Sequence, residues 1–410
     1  MMKKHFTVRL MALMLAALMM GAAFSACSQT QQTEQTEQTQ ETQTEEKSEE
    51  SAQATEQTKE GQWEFTDSLG RTVSFEGQIE RVAPSGNMAQ QCLFSIAADK
   101  MVGRAGEVAK NAEAYYGEEF VNLPVFGAFY GSKSDLNKEA VIAADPQIII
   151  DIGEVKDGMK EELDDLQEQL GIPVVFIEAD LEGTGTAFRT LGQLLDCEEE
   201  ANKIADYCDQ TMQDAQEKSA SIPQEERKSV YYGLNENGLS SFAQGSFHTE
   251  VIELVGADNC VQVEGAGSGA MEISFEQLLN WNPDVLLFGE QSMADGVAND
   301  PVWQELTAVQ EGNYSKIPSE PYSFLDQPPA ANRVIGVKWL GNLLYPEIYD
   351  YDMVKEVQEF YSLFYHYDLT EEQAQEILGR SDKNTYKKRR LNQAAFFYRS
   401  KEQNSFSDMV

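Results

Sequence analysis

The stretch Asn137-Lys138-Glu139-Ala140-Val141-Ile142-Ala143-Ala144-Asp145-Pro146-Gln147-Ile148-Ile149-Ile150 decides the fold, because it has a counterpart in Ser274-Phe275-Glu276-Gln277-Leu278-Leu279-Asn280-Trp281-Asn282-Pro283-Asp284-Val285-Leu286-Leu287. Each has a polar cap, a Glu, a two-turn amphipathic helix, and a Pro seven residues after the Glu that opens a buried strand. One supersecondary unit is therefore used twice. Around the first copy lie the apolar runs Arg81-Val82-Ala83, Met101-Val102-Gly103, Ile148-Ile149-Ile150 and Val174-Val175-Phe176-Ile177, separated by helical patterns. Around the second lie Ser229-Val230-Tyr231-Tyr232, a helix near Glu250 to Val255, Val285-Leu286-Leu287-Phe288, and helices from about Pro329 to Leu378. Such alternation builds parallel sheets flanked by helices. Asp196-Cys197-Glu198-Glu199 has the spacing of a capping box and predicts a long helix to about Ala220, ahead of Pro223. The fold class expected is α/β, with two α/β lobes joined by one long interlobe helix.

Upstream, Trp63 to Phe75 alternates about Ser68-Leu69-Gly70 and predicts a hairpin. Before it, Ser28 to about Gln62 is Gln, Thr, Glu and Ser, too polar to bury a core and self-repelling, hence an extended spacer. The chain opens with Lys3, Lys4 and Arg9, an apolar stretch from Leu10 to Ala23, then Phe24-Ser25-Ala26-Cys27. This is a signal peptide; its apolar stretch of roughly fourteen residues is short of the ~20 that span a bilayer. Phe24 to Cys27 resembles the bacterial lipobox, in which the cysteine is acylated, although Leu usually stands where Phe24 does. An ordinary secretory cleavage near Ala26 is the alternative. The expected layout is residues 1–26 signal, 27–62 lipidated Cys27 plus spacer, 63–184 N-terminal lobe, 185–222 interlobe helix, 223–380 C-terminal lobe and 381–410 a basic tail. The tail, with Lys387-Lys388-Arg389-Arg390, reads as disordered or as an amphipathic element on anionic lipid.

The formal net charge of -38, about -41 once the signal is removed, argues against nucleic acid and anionic headgroups as partners of the folded part. Of five cysteines, Cys92, Cys197, Cys208 and Cys260 remain after Cys27, none in a CxxC pair, and read as small core residues. Three histidines, one in the signal, exclude a histidine-rich metal site, and no cofactor is expected. The chain has no GxSxG, P-loop, HExxH or strand-linked GxGxxG, and a pair such as Asp151 and Glu178 is ordinary in an acidic protein. An enzyme is not expected.

Thr66-Asp67-Ser68-Leu69-Gly70-Arg71-Thr72-Val73, Ile79-Glu80-Arg81-Val82-Ala83-Pro84, Gly256-Ala257-Asp258-Asn259, the two Glu-to-Pro units and Trp339-Leu340-Gly341-Asn342-Leu343-Leu344-Tyr345-Pro346 occur in one order over about Thr66 to Leu378. In this order the chain resembles the substrate-binding proteins of ABC importers for iron-siderophores, haem, corrinoids and related metal complexes, the class III periplasmic binding proteins. The resemblance implies a stiff interlobe helix, a ligand cleft between the lobes, and one surface Glu per lobe that meets an arginine on the permease dimer. By matching, these are Glu139 and Glu276; a helix-capping role is the bland alternative for each. It further implies a monomer, anchored by lipid on Cys27 to the cell membrane and facing outward.

Loops at the carboxyl ends of the parallel strands should line the cleft. In the first lobe these are Pro84 to Met88, Phe129 to Ser132 and the turn after Ile150; in the second, Asn235 to Asn237, Ser246 to His248, Gly265 to Gly269 and Tyr322 to Phe324. Candidate ligand-binding residues are Asn87, Met88, Tyr130, His248, Tyr322, Phe324 and Arg333. Ser85-Gly86-Asn87 offers backbone N–H groups to an anionic oxygen or simply caps a helix. Met88 and His248 form a conceivable axial pair for haem iron, or an apolar lining and a cap. Arg333 suits a ligand carboxylate or phosphate, or a salt bridge inside its own lobe. The aromatics suit a flat chelate or ordinary packing. The ligand expected first is an iron-siderophore or similar metal chelate; haem or a corrinoid comes second and a molybdate-like oxyanion third. A ligand-sensing lipoprotein without a transporter is the rival of another class.

Overall fold

The computed structural model describes residues 59, 61–129, 136–263, 267 and 269–379. Cys27, the signal, most of the spacer, Tyr130, part of the glycine-rich loop at 264–268 and the tail lie outside the described residues.

The N-terminal lobe opens with the expected hairpin, β1 (Gln62–Thr66) and β2 (Thr72–Glu76). There follow β3 (Val82–Pro84), α1 (Asn87–Ala97), α2 (Glu113–Val121), α3 (Lys138–Ala144), β4 (Ile148–Gly153), α4 (Met159–Leu170) and β5 (Val174–Glu178). The strands pair in parallel in the order β3-β4-β5, and every residue of β4 is buried, as befits a strand covered on both faces. Met101 to Gly103 forms no strand of its own: Met101 makes a lone bridge to Val82. The Phe126 ring fills the space beside Gly103, where a Cβ would stand 2.1 Å from it.

The Asp67-Ser68-Leu69-Gly70-Arg71 turn is a buried staple. Asp67 accepts from the Leu69, Arg71 and Phe176 amides, while Arg71 donates to Asp67, to Asp164 at 2.7 Å and to the Val174 carbonyl at 3.0 Å. The motif therefore fastens the hairpin to β5, which accounts for its residues without recourse to ligand.

The span expected as one interlobe helix is two, α5 (Thr184–Leu195) and α6 (Glu198–Ala220). No side chain caps α6, because Asp196 is in the left-handed region (φ 54) as the C-cap of α5 and spends its carboxylate on Lys59 at 2.9 Å. Gly192 lets the two helices touch: a Cβ there would lie 2.6 Å from that of Ala201.

The second lobe runs β6 (Ser229–Gly233), β7 (Ser240–Ser241), α7 (Glu250–Leu254), β8 (Asp258–Asn259), β9 (Met271–Glu272), α8 (Phe275–Trp281), β10 (Val285–Phe288), α9 (Gln291–Gly296), α10 (Thr307–Glu311), β11 (Tyr314–Lys316), α11 (Asn332–Leu344), α12 (Met353–Tyr365) and α13 (Glu371–Ile377). Its main sheet is parallel in the order β11-β10-β6-β8. The repeated unit is real: α3–β4 and α8–β10 have matching caps. Asn137 accepts from the Ala140 amide at 3.0 Å, Ser274 from the Gln277 amide at 3.2 Å, and each helix ends on a left-handed residue, Asp145 or Asn282.

One hydrophobic core runs through both lobes, from Val82, Ile148 and Ile150 by way of Phe188, Leu191, Ile204 and Cys208 to Val230, Val334, Phe360 and Phe364. The C-terminal helices do not stay with the second lobe: α12 packs on α1, where Phe94 meets Tyr365 and the Ser95 hydroxyl donates to the Phe364 carbonyl at 3.0 Å. Burying an aromatic of this size contributes about 2–3 kcal/mol each. The four described cysteines are free, three of them buried and Cys197 half-buried. No helix among the described residues is long and apolar enough to cross a membrane.

Candidate functional site

The carboxyl ends of β3 and β4 build the first half of the site. The Ser85 amide donates to the Ile150 carbonyl at 2.9 Å, and its hydroxyl donates to Asp151, a buried carboxyl in an apolar strand. Burial pushes Asp151 up to about 6, against the opposing effects of the Ser85 hydroxyl, the Ile152 amide and Lys156. Its Oδ2 has no hydrogen-bond partner among the described residues. Gly86 is the extended N-cap of α1; Asn87 is exposed beside Gly106, and the half-buried Met88 lays its sulfur 3.7 Å from where a Cβ of Gly153 would stand. The thioether thus closes over the end of β4.

The second half hangs on the Ser246-Phe247-His248 turn and the 322–326 segment. His248 stacks on Phe242, with centroids 4.2 Å apart and an interplanar angle of 12°, and turns Nδ1 to the Asp326 carboxylate. The Asp326 side chain is 1% exposed, that of His248 28%. Burial raises the Asp326 carboxyl, and the His248 hydrogen bond and charge pull it back down. Beneath, Arg333 donates to the Phe247 carbonyl at 2.9 Å, pairs with Glu250, and lies over the Phe247 ring at 4.5 Å. Burial lowers the Arg333 pKa, and Glu250 opposes this.

The two halves meet. Gln90, on the first turns of α1, donates to the Tyr322 hydroxyl at 2.8 Å and accepts from the Ala105 amide at 2.7 Å, so residues 87–90 are tied to the segment that also carries Asp326. One residue on, the Gln91 side chain donates to Asn332 at 2.6 Å. Arg104, near enough to bias the Tyr322 hydroxyl, is engaged by the Leu123 carbonyl at 3.1 Å and the Gly106 carbonyl and Glu107 carboxylate at 3.4 Å.

Of the expected binding residues, Asn87 and Met88 stand on the first half, His248 on the second, and Tyr322 bonds across to Gln90. Two readings are corrected. Arg333 is 1% exposed and forms the salt bridge inside its lobe, because Glu250 and the Phe247 carbonyl already satisfy its NH1. Phe324 is wholly buried, its carbonyl against Gly336 of α11, so it packs and does not line the cleft. Asp326, Gln90 and Arg104 were not singled out, and Asp151 was named but set aside as an ordinary carboxylate. A carboxylate inside the apolar run Ile148 to Ile152 was the available signal for Asp151; Asp326 between Leu325 and Gln327 gave none. Glu139 and Glu276 are both exposed on the equivalent helices α3 and α8, and among the described residues neither is ion-paired.

A two-lobed α/β binding protein is the class that these two parallel sheets and their junction define. The periplasmic binding protein model matches residues 92–321, and the chain belongs to that family, as a solute-binding protein of ABC transport. An ABC transporter solute-binding protein of Sulfurospirillum deleyianum is similar over 77% of this chain and 98% of its own, at 27% identity and a TM-score of 0.71. The molybdate-binding protein MolA of Haemophilus influenzae is 21% identical over 73% of this chain and 90% of its own, and its molybdate-bound structure gives a TM-score of 0.62. An uncharacterized ABC transporter substrate-binding lipoprotein of Bacillus subtilis, YvrC, is 20% identical over 52% of this chain and 67% of its own.

Proposed function

We propose that this chain captures a metal chelate, an iron-siderophore first of all, outside the cytoplasm and delivers it to an ABC permease dimer, without catalysing a reaction. The observation that carries the choice is the state of the two arginines at the junction. Arg333 is 1% exposed, with NH1 on Glu250 and the Phe247 carbonyl and a buried Nε that has no partner among the described residues, and Arg104 is held by two carbonyls and Glu107. Two buried carboxyls add negative charge, Asp151 at the end of the first sheet and Asp326 near Arg333. A small dianion needs donors it can reach, and neither buried arginine offers one at the surface, whereas a bulky chelate screens its own metal and takes apolar and aromatic lining such as Met88, Phe247 and Tyr322. Likeness to MolA favours the second reading, a molybdate-like oxyanion; haem or a corrinoid on the same scaffold would draw on Met88 and His248.

Glu139 and Glu276 serve as the two permease-docking carboxylates in this reading, one on each copy of the repeated unit. Lipid on Cys27 holds the domain at the membrane, with residues 27–62 as spacer; the description of YvrC as a lipoprotein supports this. A spacer of roughly thirty-five residues keeps the domain at high effective concentration near its permease. Native mass spectrometry of the purified chain, freed of its signal, with ferric siderophores, haem, a corrinoid and molybdate tests the ligand class. A retained ferric chelate is expected; selective retention of molybdate would overturn the reading.

A further inference from the structure

Asp326 lies within reach of the buried Arg333 charge but makes no hydrogen bond to it among the described residues. Its carboxyl is almost wholly buried, Oδ2 has no hydrogen-bond partner among the described residues, and Oδ1 has one, the His248 ring. Keeping a carboxyl buried on a single side-chain hydrogen bond is costly, so what it holds matters. The hold is close. Ser323 fixes the segment by accepting from the Leu325 amide at 3.2 Å and the Asp326 amide at 3.4 Å, and Phe242 covers one face of the imidazole. With Nδ1 turned to a buried oxygen and one face stacked on Phe242, the side chain of His248 is still 28% exposed. The Gln90–Tyr322 bond places its supporting segment against the N-terminal turn of α1.

We propose that Asp326 is a positioning residue: it keeps the His248 proton on Nδ1, so that Nε2 is presented to the cleft as a lone-pair donor to the metal of a bound chelate. A carboxylate behind an imidazole fixes the tautomer and ring direction and raises the basicity of the distal nitrogen. The proposal rests on the reading of the cleft as a metal-chelate site and adds the chemistry by which that site discriminates. A chelate with an open metal position gains a bond to Nε2; one that saturates its metal does not.

The test has two arms on the signal-free chain. Nitrogen-15 spectra of histidine-labelled protein above the imidazole titration range report which ring nitrogen of His248 carries the proton. His366 is the only other histidine after the signal and is assigned by its loss in H366Q. Protonated Nδ1 and bare Nε2 are expected in the wild type, with the population shifting toward protonated Nε2 in Asp326→Asn, whose amide can itself donate to Nδ1. A wild type protonated on Nε2 overturns the proposal, and this holds even if D326N fails to fold. The second arm titrates a ferric dihydroxamate, which leaves two iron positions open. D326N and H248Q should each weaken it about 10- to 100-fold, the range typical for loss of such a support. Unchanged affinity in a folded D326N overturns the proposal. If the wild type binds molybdate but no ferric chelate, the metal-donor role falls with the ligand reading, while the first arm still decides the tautomer.

Discussion

Asp151 should make the protein less stable at neutral pH than in mild acid, and replacing it with Asn should remove that penalty. Its carboxyl is held at about 6 against an ordinary 3.8, mainly by burial. Between those values the folded state holds a proton that the unfolded state has released. The group's favourable contribution is therefore complete below 3.8 and is lost as pH rises through about 6. At 1.36 kcal/mol per tenfold change in proton affinity, the loss is about 3 kcal/mol at pH 7.5. Asn keeps the oxygen that accepts from Ser85 and puts an amide where Oδ2 has no partner among the described residues, which returns about 1 kcal/mol of unsatisfied-donor cost. A net stabilisation of about 2 kcal/mol at pH 7.5 and none at pH 4 follows for D151N. Urea unfolding of both proteins at the two pH values reads this directly, because the difference between them cancels every other carboxylate. A D151N variant destabilised equally at both pH values would refute the argument, since it would mean that the fold does not distinguish the protonated carboxyl from the charged one.

Three further outcomes are expected. Glu250→Ala leaves the Arg333 guanidinium buried with only the Phe247 ring and carbonyl, and should cost about 3 kcal/mol in chemical denaturation; a loss below 1 kcal/mol would show the pair to be dispensable. Gly336→Ala puts a Cβ 1.7 Å from the Phe324 carbonyl oxygen, so α11 must shift, and a cost of about 2 kcal/mol or more, with a lowered midpoint in thermal unfolding, is expected. Charge reversal at both Glu139 and Glu276 should abolish uptake in cells while the purified protein keeps wild-type ligand affinity; lost affinity would refute their docking role.

The architecture was readable wherever burial imposes a continuous apolar run. Ile148 to Ile150 and Val174 to Ile177 are strands covered on both faces, and the polar cap, Glu and Pro of each repeated unit locate the helix before them. β8 and β11 were invisible because they are two and three residues long and largely polar, completing a sheet whose inner strands do the burying. The helix break at Asp196 was misread for a local reason. Asp196 and Glu199 satisfy the capping spacing, but the chain needs a left-handed residue to end α5, and Lys59, far away in sequence, claims the carboxylate. The same limit separates the site residues. Periodicity cannot say whether a guanidinium at the start of a helix faces a cleft or a buried Glu, so Arg333 was open until Glu250 was located. Nor can it show that a lone Asp326 lies behind a histidine 78 residues away.

The seating of α12 on α1 has a bearing on how the chain is made. The surface that α1 offers to Phe364 and Tyr365 is apolar, and the helix that covers it is separated from it by almost the entire folded sequence. Ordering so distant a contact is slow, and the first lobe to emerge carries an unfinished face until the last two helices arrive. A polypeptide that cannot complete its opening lobe early stays loose through most of its synthesis. For a member of a family that works outside the cytoplasm, such delay is useful, since a thread passes through a membrane channel more readily than a finished fold.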